Sequence, residues 1–316
     1  MQNALPFWQF IEKCLKNNQL LVLLLVVEST GSSPGRQGFK MAVNTEGGLC
    51  GSIGGGIMEE KLVELAKDKL KNKGFTPFLK KQIHRKDTPQ SQSGMICSGE
   101  QTVLFYPLKN RDLKVVIKII QYLKKNTPSL FHLSPTLFSI EKRQKSTNYF
   151  FENKPDNWVY EENMGFKKKL FIIGGGHCSL ALSELMSKLD FYIHLFDDRH
   201  NLNTFENNPF VHEKHIIDYA KIADFIPEGD HVYVVIMTVG YRSDEIVIRQ
   251  LLDKKFKYIG VLGSQAKANK LKQNLLDSHF TAEQVAKLNM PVGLKIKSQT
   301  PMEIAVSIAA QIIQWG

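Results

Sequence analysis

The stretch that decides the fold is Leu170-Phe-Ile-Ile-Gly174-Gly175-Gly176-His177-Cys178-Ser179-Leu180-Ala181. An apolar run of strand length enters a G-x-G-x-x-S turn, and a helix pattern follows at once. Each residue has a physical reason to be there. Gly174 permits the tight turn, and Gly176 lets the backbone approach a pyrophosphate. The third position needs a small residue for close helix–strand packing, and Ser179 supplies it. The helix start would offer unpaired N–H groups to phosphate, with His177 as a neighbour. Asp197 lies 21 positions after Gly176, at the end of the next apolar run (Tyr192–Phe196). An acid there is placed to meet a ribose 2′-hydroxyl, and it would repel a 2′-phosphate. The expectation is a nucleotide-binding Rossmann-type domain that prefers NAD or another adenosine nucleotide. A scaffold of the same fold without a ligand fits the pattern too.

Downstream, strands and helices keep alternating. Strands are predicted at His231–Met237 and Tyr258–Leu262. Helices are predicted at Ser243–Asp253, Gln265–Asp277 and Met302–Gln314, with a short one at Thr281–Leu288 capped by Thr281. This alternation implies a doubly wound parallel sheet. Thr238, Gly240, Gly263 and Ser264 fall just after strands, where ligands sit in such sheets. Turn chemistry alone accounts for them equally well.

Upstream the pattern differs. Pro6–Asn17 reads as an amphipathic helix and Leu20–Glu28 as a buried strand, with a polar loop to Gly35. Phe39–Val43 and Leu49–Ile53 form a hairpin about Glu46-Gly47-Gly48, and Ile57–Asn72 is helical. Between them stands Gly51-Ser-Ile-Gly54-Gly55-Gly56-Ile-Met-Glu59. Three consecutive glycines are costly in chain entropy. They suggest that backbone N–H groups meet an anion, to which Arg36 could add a charged fork. No Lys-Ser/Thr follows, so this is not a P-loop. Phe78–Ile83 and Thr102–Tyr106 look like strands, separated by the polar stretch His84–Glu100 that holds Cys97. A thiolate at Cys97 could bind a soft metal or a sulfur-bearing centre, though a small buried hydrophobe is the plainer reading. Asp112–Lys125 reads as a helix, and Phe131–Tyr160 as short strands of no evident order.

A chain of 316 residues suggests two domains, here 1–163 and 164–316. Four scattered cysteines argue against a disulfide framework and a zinc cluster, and they suit the cytoplasm. The longest apolar run, Leu20–Val27, is too short for a membrane span. The net charge is +10, but the lysines are dispersed and lack interleaved aromatics, so a nucleic-acid partner is not expected.

Both halves together resemble the XdhC/CoxI family of molybdenum-hydroxylase maturation factors. The resemblance rests on Gly31-Ser-Ser-Pro34, Gly51-Ser-Ile-Gly-Gly-Gly56 with Glu59, and Cys97-Ser98-Gly99. It continues through Ile173-Gly-Gly-Gly-His177, Phe196-Asp-Asp-Arg199, Ile259-Gly-Val-Leu-Gly-Ser264, Pro291-Val-Gly-Leu294 and Thr300-Pro-Met-Glu-Ile-Ala-Val-Ser307. Ile57 after the three glycines looks like the xanthine dehydrogenase branch. The chain departs from the family pattern at Ser98, at Gly240-Tyr241-Arg242 and at Gln265-Ala266.

The resemblance implies an N-terminal α+β domain of the XdhC/CoxI type ahead of the Rossmann-like one. It implies a carrier, without turnover of its own, that binds the molybdenum cofactor (molybdopterin). Such a carrier helps a cysteine desulfurase to sulfurate the cofactor, protects it and inserts it into a xanthine dehydrogenase-type hydroxylase. A homodimer is expected. Arg36, Gly54, Gly55, Gly56, Glu59 and Cys97 would then face the cofactor, with Cys97 at its metal end. Gly174, Gly176, His177 and Asp197 would face any nucleotide. The rival class is an NAD-dependent oxidoreductase, which needs a general acid or base beside the nicotinamide. No such constellation is visible. A nucleotide-sensing module is a third class.

Overall fold

The computed structural model of the chain describes residues 4–71, 75–84, 99–154, 157–165, 168–278 and 280–315. It divides into two compact units, 1–165 and 166–316.

In the first unit, helix α1 (Ala4–Lys16) turns Phe7, Trp8, Ile11, Cys14 and Leu15 inward, the spacing of one helix face. Strand β1 (Leu21–Gly31) is the middle of a five-stranded antiparallel sheet. Its partners are β2 (Lys40–Asn44), β3 (Leu49–Gly51), β4 (Phe78–His84) and β5 (Gly99–Leu108), in the order β3-β2-β1-β5-β4. From Leu21 to Val27 every side chain is buried, because both faces of the sheet are covered. Leu21, Leu23, Leu25 and Val27 share a core with Trp8 and Ile11 of α1. Val22, Leu24 and Val26 pack instead against Leu62, Val63 and Ala66 of α2 (Gly56–Lys71). Each such side chain contributes about 1.5–3 kcal/mol on full burial. This two-sided cover explains a continuous apolar run in an antiparallel strand, where alternation is the usual sign.

Helix α3 (Leu113–Lys124) leads into a second antiparallel sheet of β6 (Ser129–Leu133), β7 (Phe138–Glu141), β8 (Tyr149–Lys154) and β9 (Asn157–Met164). The order is β7-β6-β9-β8. Phe131, Leu133 and Tyr160 of this sheet join the α1 core, with Trp8 edge-on to Phe131 at 5.5 Å. The sequence suggested strands here without an order. Their pairing is fixed by this shared core, not by local turn signals.

In the second unit all strands run parallel: β10 (Lys168–Ile173), β11 (Phe191–Asp197), β12 (Glu213–Ile216), β13 (Gly229–Ile236) and β14 (Phe256–Val261). The order β12-β11-β10-β13-β14 is that of a Rossmann sheet, with the switch point beside β10. The helices are α4 (His177–Ser187), α5 (Asn203–Glu206), α6 (Tyr241–Leu251), α7 (Gln265–Leu276), α8 (Ala282–Ala286) and α9 (Pro301–Gln314). Phe171 and Ile173 pack with α6 and α7 on one face, and Leu170 and Ile172 with α4 and α9 on the other. Thr281 caps α8 as predicted, in a reciprocal pair with Gln284. Edge strand β12 (Glu-Lys-His-Ile) has no strand signal in the sequence. It is four residues long, and it alternates between half-buried and exposed. No helix among the described residues is long and apolar enough to cross a membrane.

Candidate functional site

The first glycine turn connects β3 to α2. Gly54 sits at φ +130°, and a Cβ there would lie 2.5 Å from the Gly35 nitrogen and 2.7 Å from the Pro34 carbonyl carbon. Only glycine permits both the dihedral and the approach. Glu59 reaches back from the first turn of α2. Its Oε2 accepts hydrogen bonds from Ser52 Oγ at 2.7 Å, Ile53 N at 2.8 Å and Gly55 N at 3.0 Å. Burial pushes the Glu59 carboxyl up. The bonds from Ser52, Gly55, Ile53 and Gly54 more than offset this and hold it below its usual range. The expectation that the Gly54–Gly56 N–H groups meet an external anion is therefore corrected for Gly54 and Gly55, whose N–H groups are taken up inside the turn. Gly55 N donates to the chain's own Glu59 and Gly54 N to Ser52 Oγ at 3.1 Å, so Glu59 is a clasp of the turn rather than an open ligand.

What this turn does is bring three segments together. Gly54 backs onto Pro34 and Gly35 of the loop after β1. Gly35 N donates to Gln101 Oε1 at 3.0 Å, and Gln101 donates to Gln82 at 2.7 Å. Gly31 of β1 is paired with Gly99 of β5. Arg36, on the same loop, donates through Nη1 to the Gly31 carbonyl at 3.0 Å, and its side chain is exposed. Arg36, Gly54 and Gly99 thus belong to one end of the five-stranded sheet. Cys97 lies outside the described residues, two positions before Gly99.

The same unit holds a cavity of about 400 Å³, walled by Phe7, Trp8, Phe39, Cys50 and Tyr149 and touching Ser52. No pattern in the sequence announces it. Lys40 at its wall is tied to buried Glu162 at 2.5 Å, which also accepts from Tyr160 at 2.9 Å. Burial raises the Cys50 thiol, partly opposed by a bond with the Gly51 backbone, so this sulfur is held toward the neutral form.

The second glycine turn connects β10 to α4. Gly174 has φ +105°, and a Cβ would lie 2.3 Å from the Met237 carbonyl oxygen. Its N–H donates to Phe196 O at 2.7 Å, and its carbonyl accepts from the buried Ser179 hydroxyl. The tight turn and the small third residue are both present as expected. Gly176, the N-cap of α4, faces open space, and His177 is exposed.

Asp197 does not have the role expected of it. It has no exposed surface. Its Oδ2 accepts from Gly175 N at 2.6 Å and Arg199 Nη2 at 2.8 Å, and its Oδ1 accepts from Arg199 Nε at 2.8 Å. Burial pushes this carboxyl up, but Arg199 and Gly175 outweigh it and hold it below its usual range. As placed, Asp197 has no face left for a ribose hydroxyl. Open space remains beside Gly176 instead.

A third acid does comparable work beside the switch point, and nothing in the sequence pattern singles it out. Asp244 of α6 is fully buried, and its Oδ1 accepts from Thr238 Oγ1 at 2.6 Å and Thr238 N at 3.1 Å. Lys267 of α7 forms an ion pair with it and donates to the Leu262 carbonyl at 3.0 Å. Burial nevertheless leaves the Asp244 carboxyl above its usual range, against the pull of Lys267 and Thr238. Directly after Gln265-Ala266, Lys267 places a basic group at this strand end.

Comparison with known proteins covers both units. Residues 170–312 match the model of the XdhC Rossmann domain, and residues 14–80 match that of the XdhC and CoxI family. The chain is 24% identical to a probable xanthine dehydrogenase subunit from Bacillus subtilis, over 98% of this chain and 97% of that protein. It is 22% identical to the uncharacterized protein YqeB of Escherichia coli over 96% of this chain, which spans 44% of YqeB. A crystal structure of a xanthine dehydrogenase from Bacillus halodurans superposes with a TM-score of 0.72. It covers 98% of this chain and 95% of that one at 24% identity.

Proposed function

The chain belongs to the XdhC/CoxI family, and from that membership we propose that it is an accessory factor in the maturation of a xanthine dehydrogenase-type molybdenum hydroxylase. Its cargo is the molybdenum cofactor, which it holds while a cysteine desulfurase adds sulfur and which it then passes to the hydroxylase. It acts as a carrier without turnover of its own.

The observation that carries this reading is the meeting of the Arg36 loop, the Gly54 turn and Gly99 at one sheet end. Molybdopterin has a phosphate and a dithiolene. The exposed Arg36 offers charged donors to the phosphate. Cys97 is the soft ligand for the molybdenum–sulfur end. The glycines shape the wall, and Glu59 keeps them in place. The test is to express the chain where the cofactor is made and to measure bound pterin and molybdenum in wild type and Cys97→Ala. Wild type retains both and the variant loses them. Equal retention, or none in either, removes the basis of the reading.

One observation favours a second ligand. Gly176 and His177 lie open at the start of an eleven-residue helix, which suits a phosphate group. An adenosine nucleotide held there by phosphate alone binds weakly and indifferently to its 2′ position. Calorimetric titration with NAD and NADP reads this directly. A flat trace at millimolar nucleotide ends it, and NAD binding with strict rejection of NADP would restore Asp197 to its expected role.

A further inference from the structure

Strand periodicity and register gather three metal-binding side chains at the edge of the Rossmann sheet, away from the glycine turn. In β11 and β12, Glu213 pairs directly with His194, and His215 pairs with Phe196. Residues two apart in a strand share a face, so His194, Glu213 and His215 present their side chains together.

Both imidazoles converge on one carboxylate oxygen. His194 Nδ1 lies 3.4 Å from Glu213 Oε2, and His215 Nε2 lies 3.4 Å from the same oxygen. The three donor atoms are all within 4.8 Å of one another. His215 Nε2, which faces Glu213 Oε2, is buried and makes no well-aligned hydrogen bond. An unsatisfied buried polar atom costs about 1–3 kcal/mol, so this arrangement calls for a group that uses it. A tetrahedral ion with bonds of about 2.0–2.1 Å sets its donors about 3.4 Å apart.

The surroundings hold the donors in place. Tyr192 Oη donates to the other carboxylate oxygen, Oε1, at 2.8 Å, which leaves Oε2 toward the imidazoles. Phe171 stacks on His194 at 4.5 Å, and Phe196 stacks on His215 at 4.7 Å. Partners of this kind fix ligand orientation in metal sites. The Glu213 side chain is 43% exposed, which gives an ion a way in and leaves water for a fourth position.

We propose that His194, Glu213 and His215 bind one divalent transition-metal ion of the zinc type, with solvent as the fourth ligand. The ion ties the short edge strand β12 to β11. This site is independent of the cofactor reading, since it shares no residue with it.

The test uses the full chain, stripped with chelator and carrying Cys97→Ala so that this thiol cannot contribute. Zinc is then titrated by calorimetry, and the loaded protein is examined by X-ray absorption. One equivalent is expected, with a nitrogen/oxygen shell at about 2.0–2.1 Å and no sulfur at about 2.3 Å. The melting temperature rises on loading. His215→Ala removes the equivalent and the melting shift. Glu213→Gln, on a half-exposed and nearly isosteric side chain, weakens binding at least tenfold while the metal-free melt stays unchanged. A substoichiometric titration, sulfur in the first shell, or full binding by both variants would overturn the proposal.

Discussion

The two glycine-rich turns look alike in sequence and are clasped in different ways. Both join a strand to a helix, and both have a carboxylate folded onto backbone N–H groups. In the first turn the clasp is local. Glu59 belongs to the helix that the turn starts, and it takes three donors with no cation beside it. In the second it is long-range. Asp197 comes from the next strand, takes two backbone donors (Gly175 N and Arg199 N), and shares its charge with the fork of Arg199. A run of glycines therefore reports that something anionic approaches the backbone, but not that it comes from outside. The local clasp orders its own turn. The long-range clasp fastens two adjacent strand ends, so more of the unit depends on it.

The largest difference is expected when each acid is removed. Asp197→Ala strands the Gly175 N–H and leaves Arg199 with only the more distant Asp198, 4.0 Å away. Breaking a buried charged pair costs about 3–5 kcal/mol, and the 40% exposure of Arg199 puts this case near the lower bound. Glu59→Ala strands neutral donors near the surface, at about 2 kcal/mol in total. Urea unfolding of the two variants checks the order. If Glu59→Ala is the more damaging, the local clasp is the one that matters.

A finer contrast comes from pH. Both carboxyls are held below their usual values, 4.5 for Glu59 and 3.8 for Asp197. A group whose folded pKa is depressed contributes stability that is present above the unfolded value. That contribution is lost as pH falls through the folded one. The stability gap between wild type and Glu59→Gln should therefore be full at pH 7 and close on acidification below about 4.5. Asp197→Asn should show the same closure starting at lower pH, because its usual value is lower. Denaturant midpoints measured between pH 7 and pH 3 decide this. A gap that is constant with pH would mean that hydrogen-bond geometry and not charge holds the turns.

Most of the fold was legible because its signals are local. The Gly174 turn, the alternation of strands and helices, and the Thr281 cap each follow from neighbouring residues. The order of β6–β9 was not legible, because a core shared with α1 and α3 sets it. Strand β12 was missed because an edge strand with one face half-covered needs no apolar run. At the sites, residue types were readable and their partners were not. Asp197 stands where a ribose acceptor would stand, and only its contact with Arg199, two residues on, shows that it is occupied. Asp244 and Lys267 are 23 positions apart and meet only in the folded sheet. His194, Glu213 and His215 become a constellation only through parallel register.

The smallest expected effect on stability separates structure from function at the second turn. Gly176 has φ −73° and nothing within 4 Å of a would-be Cβ, so alanine fits without strain. Gly176→Ala at this N-cap should cost only about 0.5–1 kcal/mol, because glycine is the better cap. Gly54→Ala in the first turn meets both a positive φ and a backbone nitrogen at 2.5 Å, and it should cost several times more. A glycine that the fold itself does not require is best explained by an approach from outside. A nucleotide phosphate resting on the Gly176 backbone would be pushed away by the added methyl. Gly176→Ala should then weaken nucleotide binding by tenfold or more while the melting temperature falls by no more than about 2–4 °C from wild type. Unchanged nucleotide affinity in a fully folded variant would place the phosphate elsewhere, and the open space at Gly176 would be a feature of the turn alone.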